Sequence, residues 1–258
     1  MGSVEFKTIK HGSSMRKLAL GAWGSPKDPS VNVQIDLDVT RLIAHLKQTP
    51  DISLKQAIIK IFSSVLNDIP ELNTVIIRNK FRQRLNNRIF IPTVFRNNQQ
   101  VDLNGIWIDN AHGMTLSELN TCWVEKISNL RLGKDRPTHR VVSIFKRLPD
   151  PLCKPIIRLI DFIQYTCNIS LKNFGLPNDP FGSMTVTFLD KLNVRYANIP
   201  IYSFSRSAIT AAIGRMYEDG KQKRLPVTWT FDHRCFDGFE GGLGLKRINY
   251  YLKNPHVL

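Results

Sequence analysis

The chain has 258 residues, with 36 Lys and Arg against 21 Asp and Glu and a formal net charge of +15. Hydrophobic residues make up 42% and charged residues 22%, an ordinary globular composition that calls for no long disordered stretch. The basic surplus favours partners that carry phosphate or carboxylate (nucleic acid, an anionic membrane surface, an acidic carrier, a phosphorylated cofactor) without choosing among them. A chain of this length buries roughly 70–75% of its unfolded surface in one core.

In chain order, the N-terminal MGSVEFKTIK has no apolar signal core, and Phe6 stands where a myristoylation signal wants Ser or Thr. SSMRKLALGAWG reads as a first short helix with a Ser cap and Gly at its end. VNVQIDLDV alternates strictly, with Val31, Val33, Ile35, Leu37 and Val39 on one face, as a half-buried strand requires. TRLIAHLK then reads as helix. SLKQAIIKIFSSVLNDIP is a strong helix, with Ser53 and Gln56 forming a capping box and Pro70 just past its end. NTVIIR, RIFIPTVF and VDLNGIWI read as strands. Arg78, Lys80, Arg82, Arg84, Arg88 and Arg96 lie here with no intervening acid. Aromatic residues do not interleave with them and no nucleic-acid motif appears, so a solvated hairpin is expected and a nucleic-acid partner is not.

TLSELNTCWVEKI repeats the capping box with Thr115 and Glu118. DPLCKPIIRLIDFIQYTC reads as a helix opened by Asp150 as cap and Pro151 in the first turn. It is too short, and too interrupted by Arg158 and Asp161, to span a bilayer. SMTVTFL is a strand. Asp219-Gly220 joins two further strand-like runs as a hairpin turn. The closing FEGGLGLKRINYYLKN reads as a helix on Leu245, Ile248 and Leu252, with its glycines weakening the first turn. The whole reads as one α/β (α+β) domain over residues 1–258, a mixed sheet flanked by helices. Cys122, Cys153, Cys167 and Cys235 show no C-x-x-C or metal spacing and suit a reducing compartment. A soluble, cytoplasmic protein is expected.

No nucleophile elbow, Walker A motif or dinucleotide-binding glycine motif is present. What remains is TFDHRCFDGFEGG. There His233 stands at a predicted strand end, with Asp237 and Gly238 close behind. Two side chains fall short of the three or four ligands a metal needs, so no metal is expected. A neutral imidazole of pKa about 6.5 suits proton abstraction from a thiol of pKa about 8.5, but a core histidine has the same local sequence.

His233-Arg-Cys-Phe-Asp237-Gly238 resembles the H-x-x-x-D-G signature of the chloramphenicol acetyltransferase-like, CoA-dependent acyltransferases. The longer FDHRCFDG is similar to the D-H-R-x-x-D-G of dihydrolipoamide acyltransferases, the core components of 2-oxoacid dehydrogenase complexes. SMRKLAL, VNVQIDLDVTRLIAHLK, LNDIPELNTVI, FGSMTVTFLDKLNV and PIYSFSRSAITAAIGRM resemble further family segments, in order, with residues 80–180 the poorest match.

The resemblance implies that His233 is the general base for the thiol of CoA or dihydrolipoamide. It implies that Thr187 donates to the tetrahedral oxyanion, and that Asp237 belongs to the site as a structural member paired with Arg16. It implies coenzyme A as acyl-CoA substrate, or an acyl carrier, as partner. It further implies a homotrimer in which His233 and Thr187 meet across subunit interfaces. The tail NPHVL is similar to one that helps trimers assemble further. Asp190 and Asn193 replace the family's glycines after Thr187, and no lipoyl or peripheral subunit-binding segment is visible. A stand-alone acyltransferase is therefore expected, with a non-catalytic trimeric scaffold of the same fold as the alternative.

Overall fold

The computed structural model describes residues 28–258 apart from 79, 98–99, 133–148 and 203–204. The predicted first helix and Arg16 lie outside the described residues. The elements run in this order: β1 (Ser30–Asp38), α1 (Thr40–Leu46), α2 (Leu54–Asp68), β2 (Thr74–Ile77), β3 (Lys80–Gln83), β4 (Arg88–Asn97), β5 (Gln100–Asp109), α3 (Leu116–Arg131), α4 (Asp150–Asp161), β6 (Met184–Phe188), β7 (Ile209–Ile213), β8 (Tyr217–Asp219), β9 (Gln222–Asp232) and α5 (Gly238–Lys253). Short 3-10 turns at 70–73 and 111–113 join several of them.

Seven strands form one mixed sheet in the order β1-β9-β7-β6-β4-β5, with β8 hydrogen-bonded to β9 outside that path. The pairs β4–β6 and β6–β7 are parallel, and the remaining pairs in this sheet are antiparallel. A mixed α/β fold is what the sequence patterning predicts.

The alternation in β1 translates directly into burial. Val33, Ile35 and Leu37 sit opposite Trp229, Val227 and Leu225 of β9. They share the face covered by α2 and α5, where Phe62 meets Trp229 at a ring-centroid distance of 4.7 Å. From Gln56 to Leu66, α2 is buried on every side, because the 111–113 turn, α3 and α5 also pack on it. Burial on all sides includes Lys60, 5% exposed, whose ammonium donates to the carbonyls of Ala111, His112 and Met114. Loss of hydration lowers its pKa, and the three carbonyls replace the lost water.

The opposite face of the sheet is polar. Thr185, Thr210 and Thr230 align across β6, β7 and β9 and are all buried. The stretch between β6 and β7 lies over them, tied by Thr210 Oγ1 donating to Ile199 O at 3.0 Å and Tyr196 OH to Asp36 at 2.7 Å.

Both predicted capping boxes form, Ser53 with Gln56 and Thr115 with Glu118. The Asp219-Gly220 hairpin forms as well, with Gly220 at φ 59°. One reading needs correction. Asp150 makes no capping hydrogen bond: Pro149 occupies the cap position and α4 begins at Asp150 itself. The basic stretch forms the expected solvated hairpin: β3 pairs with β2, and its KFRQ lacks alternation because all four side chains are exposed.

Candidate active site

β9 ends at Asp232 and α5 starts at Gly238, so the turn 233–237 carries the signature residues. Its backbone is pinned at both ends. Asp232 N donates to Ala208 O at 3.0 Å, His233 N to Pro29 O at 3.0 Å, and Cys235 N to Asp232 O at 2.9 Å. The buried Asp232 carboxylate accepts from three nitrogens of Arg234: the backbone N at 3.0 Å, Nε at 2.9 Å and 3.2 Å to its two oxygens, and Nη2 at 2.6 Å. This clamp encloses His233 between its two members. The His233 side chain is exposed, rests 6.5 Å from the Phe231 ring centroid, and makes no hydrogen bond to a described residue.

Asp237 has a different task. Its carboxylate accepts from Phe239 N at 2.7 Å, while Glu240 accepts from Asp237 N at 3.0 Å. This capping box starts α5 despite the glycines at 238, 241 and 242, each of which costs helix propensity. The Asp237 carboxyl is held below the ordinary range, chiefly by the Phe239 N–H, with Glu240 and the His233 imidazole adding to it.

Thr187 is half-buried on β6 and lies level with Ala212 of β7 and, through it, Thr228 of β9. His233 is five positions beyond Thr228. At about 3.3 Å per residue and about 4.8 Å per strand, His233 and Thr187 of one chain are about 19 Å apart. The structure thus brings His233 and Asp237 together in one turn and leaves Thr187 remote from both within a chain. The loop after Thr187 closes without the expected glycines. Asn193 takes the left-handed conformation at φ 56°, which Asn tolerates, and Asp190 pairs with Lys55 at 2.9 Å.

No protein-family model matches the sequence, and no curated protein matches it. Solved structures match over nearly the whole chain. A truncated catalytic core of the 2-oxoacid dehydrogenase multienzyme complex from Thermoplasma acidophilum aligns with a TM-score of 0.63 at 15% identity, covering 97% of this chain and 99% of that one. A dihydrolipoamide acetyltransferase from Azotobacter vinelandii, studied for the role of a serine, a histidine and an asparagine in its catalytic mechanism, aligns with a TM-score of 0.60 at 16% identity, covering 98% and 96%. Chloramphenicol acetyltransferase aligns with a TM-score of 0.54 at 13% identity, covering 88% and 89%. The chain has the fold of the dihydrolipoamide acyltransferase catalytic core.

In this acyltransferase fold, the turn 233–237 lies between two hollows. On the helix side is an apolar one of about 250 Å³, walled by Trp229, Phe231, Phe236, Leu245 and Ile248. Beside Asp232 and Arg234 is a polar one of about 360 Å³. Cys235 borders the polar hollow, and burial, with Asp232 beside it, pushes its thiol up to about 11. It therefore stays protonated at neutral pH and acts as a packing residue. No three potential ligands cluster for a metal, and no helix is long and apolar enough to cross a membrane, among the described residues. Sequence reasoning missed the Asp232–Arg234 clamp. Its only signal was opposite charges on either side of the histidine, a pattern common on solvated turns.

Proposed function

We propose that this chain is an acyltransferase that moves an acyl group between a CoA or lipoyl thioester and a thiol acceptor, with His233 as general base. The observation that carries this is an exposed imidazole, free of hydrogen bonds to described residues, on a backbone clamped on both sides. A base needs a rigid mount and an unoccupied nitrogen, and His233 has both. His233 removes the thiol proton, and the thiolate attacks the thioester carbonyl carbon. Thr187 donates its hydroxyl to the resulting oxyanion. Collapse breaks the old carbon–sulfur bond, and the leaving thiolate takes the proton back from the imidazolium. Asp237 contributes by fixing the start of α5 and hence the far end of the turn.

About 19 Å separates Thr187 from His233 within one chain, so each site draws its Thr187 from a second copy. A homotrimer, in which each interface completes one site, satisfies this with a closed ring. One chain of this fold comes from the cubic core of the pyruvate dehydrogenase multienzyme complex, aligning with a TM-score of 0.59, which supports an assembled form here. The net charge of +15 suits the phosphates of CoA.

The test is thiol release from a panel of acyl-CoAs by His233→Ala. Loss of at least 100-fold in turnover with an unchanged unfolding midpoint is expected, since a positioned base contributes roughly 10²–10⁴. Unchanged turnover would remove His233 from the mechanism.

A further inference from the structure

Among the described residues, six non-glycine residues have positive φ, and four of these are Asn or Asp, which tolerate it. The other two are arginines, Arg78 at φ 52° and Arg206 at φ 53°. Both border the same polar hollow of about 360 Å³, and Arg234 is the third arginine on its wall. A left-handed conformation on a long side chain is sparsely populated, and such strain collects at ligand sites.

The three arginines differ in how they are held. Arg206 is locked: it pairs with Asp161 and donates to Ile76 O at 2.9 Å. Arg234 is paired with Asp232. Arg78 occupies the tight turn between Ile77 and Lys80, where Asn or Gly would sit without strain, and makes no ion pair or hydrogen bond among the described residues. Two ion pairs are thus internally balanced, and the charge of Arg78 is left over at the rim. Thr166, Ser207 and the paired Asp232 also line the hollow, and Val75, Ile76 and Ile201 form its apolar part.

We propose that this hollow is an anion site that binds the phosphate group of a phosphomonoester, with Arg78 as the residue that closes on it. The unpaired guanidinium fork of Arg78 suits the oxygens of a phosphate, while Arg206 and Arg234 stay on Asp161 and Asp232 and hold the wall behind it. A volume of about 360 Å³ exceeds a bare phosphate, so the phosphate arrives on a larger molecule. The site does not depend on acyl transfer at His233.

The experiment is calorimetric titration with inorganic phosphate, glycerol 2-phosphate and CoA at fixed ionic strength. It is run on the unaltered protein and on Arg78→Ala, Arg78→Gly and His233→Ala. Phosphate binding at least tenfold weaker in both Arg78 variants, and unchanged in His233→Ala, is expected. Arg78→Gly should also raise Tm, because glycine takes this turn without strain. If the Arg78 variants weaken CoA binding in parallel, the phosphate is the coenzyme's; if they weaken only the two simple phosphates, it belongs to another ester. No heat above a sodium chloride control in the unaltered protein, or equal phosphate affinity in Arg78→Ala, overturns the proposal.

Discussion

If each site needs His233 of one copy and Thr187 of another, two inactive variants should rescue each other. The perturbation is to mix His233→Ala with Thr187→Val. Valine keeps the shape and strand preference of Thr187 and removes only the hydroxyl, so β6 should form unchanged. Alone, Thr187→Val should lose roughly 10²–10³ in turnover, the effect of removing one oxyanion donor. The register puts the two residues about 17 Å apart along the strands and about 10 Å across them, beyond any side-chain movement within one chain.

In a randomly mixed ring, half of the sites receive an intact His233. Half of those receive an intact Thr187 from the neighbour. About one quarter of full activity should therefore return. The assay is acyl-CoA thiol release after co-refolding equal amounts of differently tagged variants, with capture of both tags in one oligomer as the mixing control. Verified mixed oligomers with no more activity than the separate variants would refute a shared site.

Asp232→Ala removes all four hydrogen bonds from Arg234 to the clamp's carboxylate and should destabilise the fold by about 2 kcal/mol, a value discounted because Arg234 is 63% exposed. Urea unfolding checks this, and a change below about 0.5 kcal/mol would mean that the clamp does not hold the turn. Gly214→Ala places a Cβ 1.9 Å from Arg195 O, a backbone atom that cannot step aside, and should cost about 3 kcal/mol or more. Gly241→Ala in α5 meets nothing within 4 Å and should stabilise by about 1 kcal/mol, so the two thermal shifts should have opposite signs. Cys235, with its thiol raised to about 11, should react with a disulfide reagent very slowly at pH 7 and about tenfold faster per pH unit up to about pH 11. Because the folded value lies above the unfolded one, its stabilising contribution is complete below about pH 9. It is lost as pH rises towards about 11, which a comparison with Cys235→Ala in alkaline unfolding measures.

The parts of this protein legible in the sequence are those fixed over short chain distances. The strand period of residues 31–39 follows from strict alternation. The capping boxes at Ser53 and Thr115 each need only a partner three residues on. The turn at Asp219-Gly220 needs only a residue that takes positive φ. His233 was legible as a residue of interest for the same reason, since its signature spans six positions.

Tertiary structure alone decided the rest. The order β1-β9-β7-β6-β4-β5 joins strands far apart in sequence, and no local pattern encodes which edge pairs with which. The Asp237 cap is itself local, set by Glu240 three residues on, but the glycines of the first turn of α5 obscured it in the sequence. Arg78, Arg206 and Arg234 converge on one hollow from a hairpin turn, a loop and a strand end, although each looks like a solvated charge when read alone. The separation of Thr187 from His233 has the same origin. Thr187 sits on a well-predicted strand and His233 just past the end of another, but the register between strands sets the distance across them, and cooperative pairing of the whole sheet fixes that register.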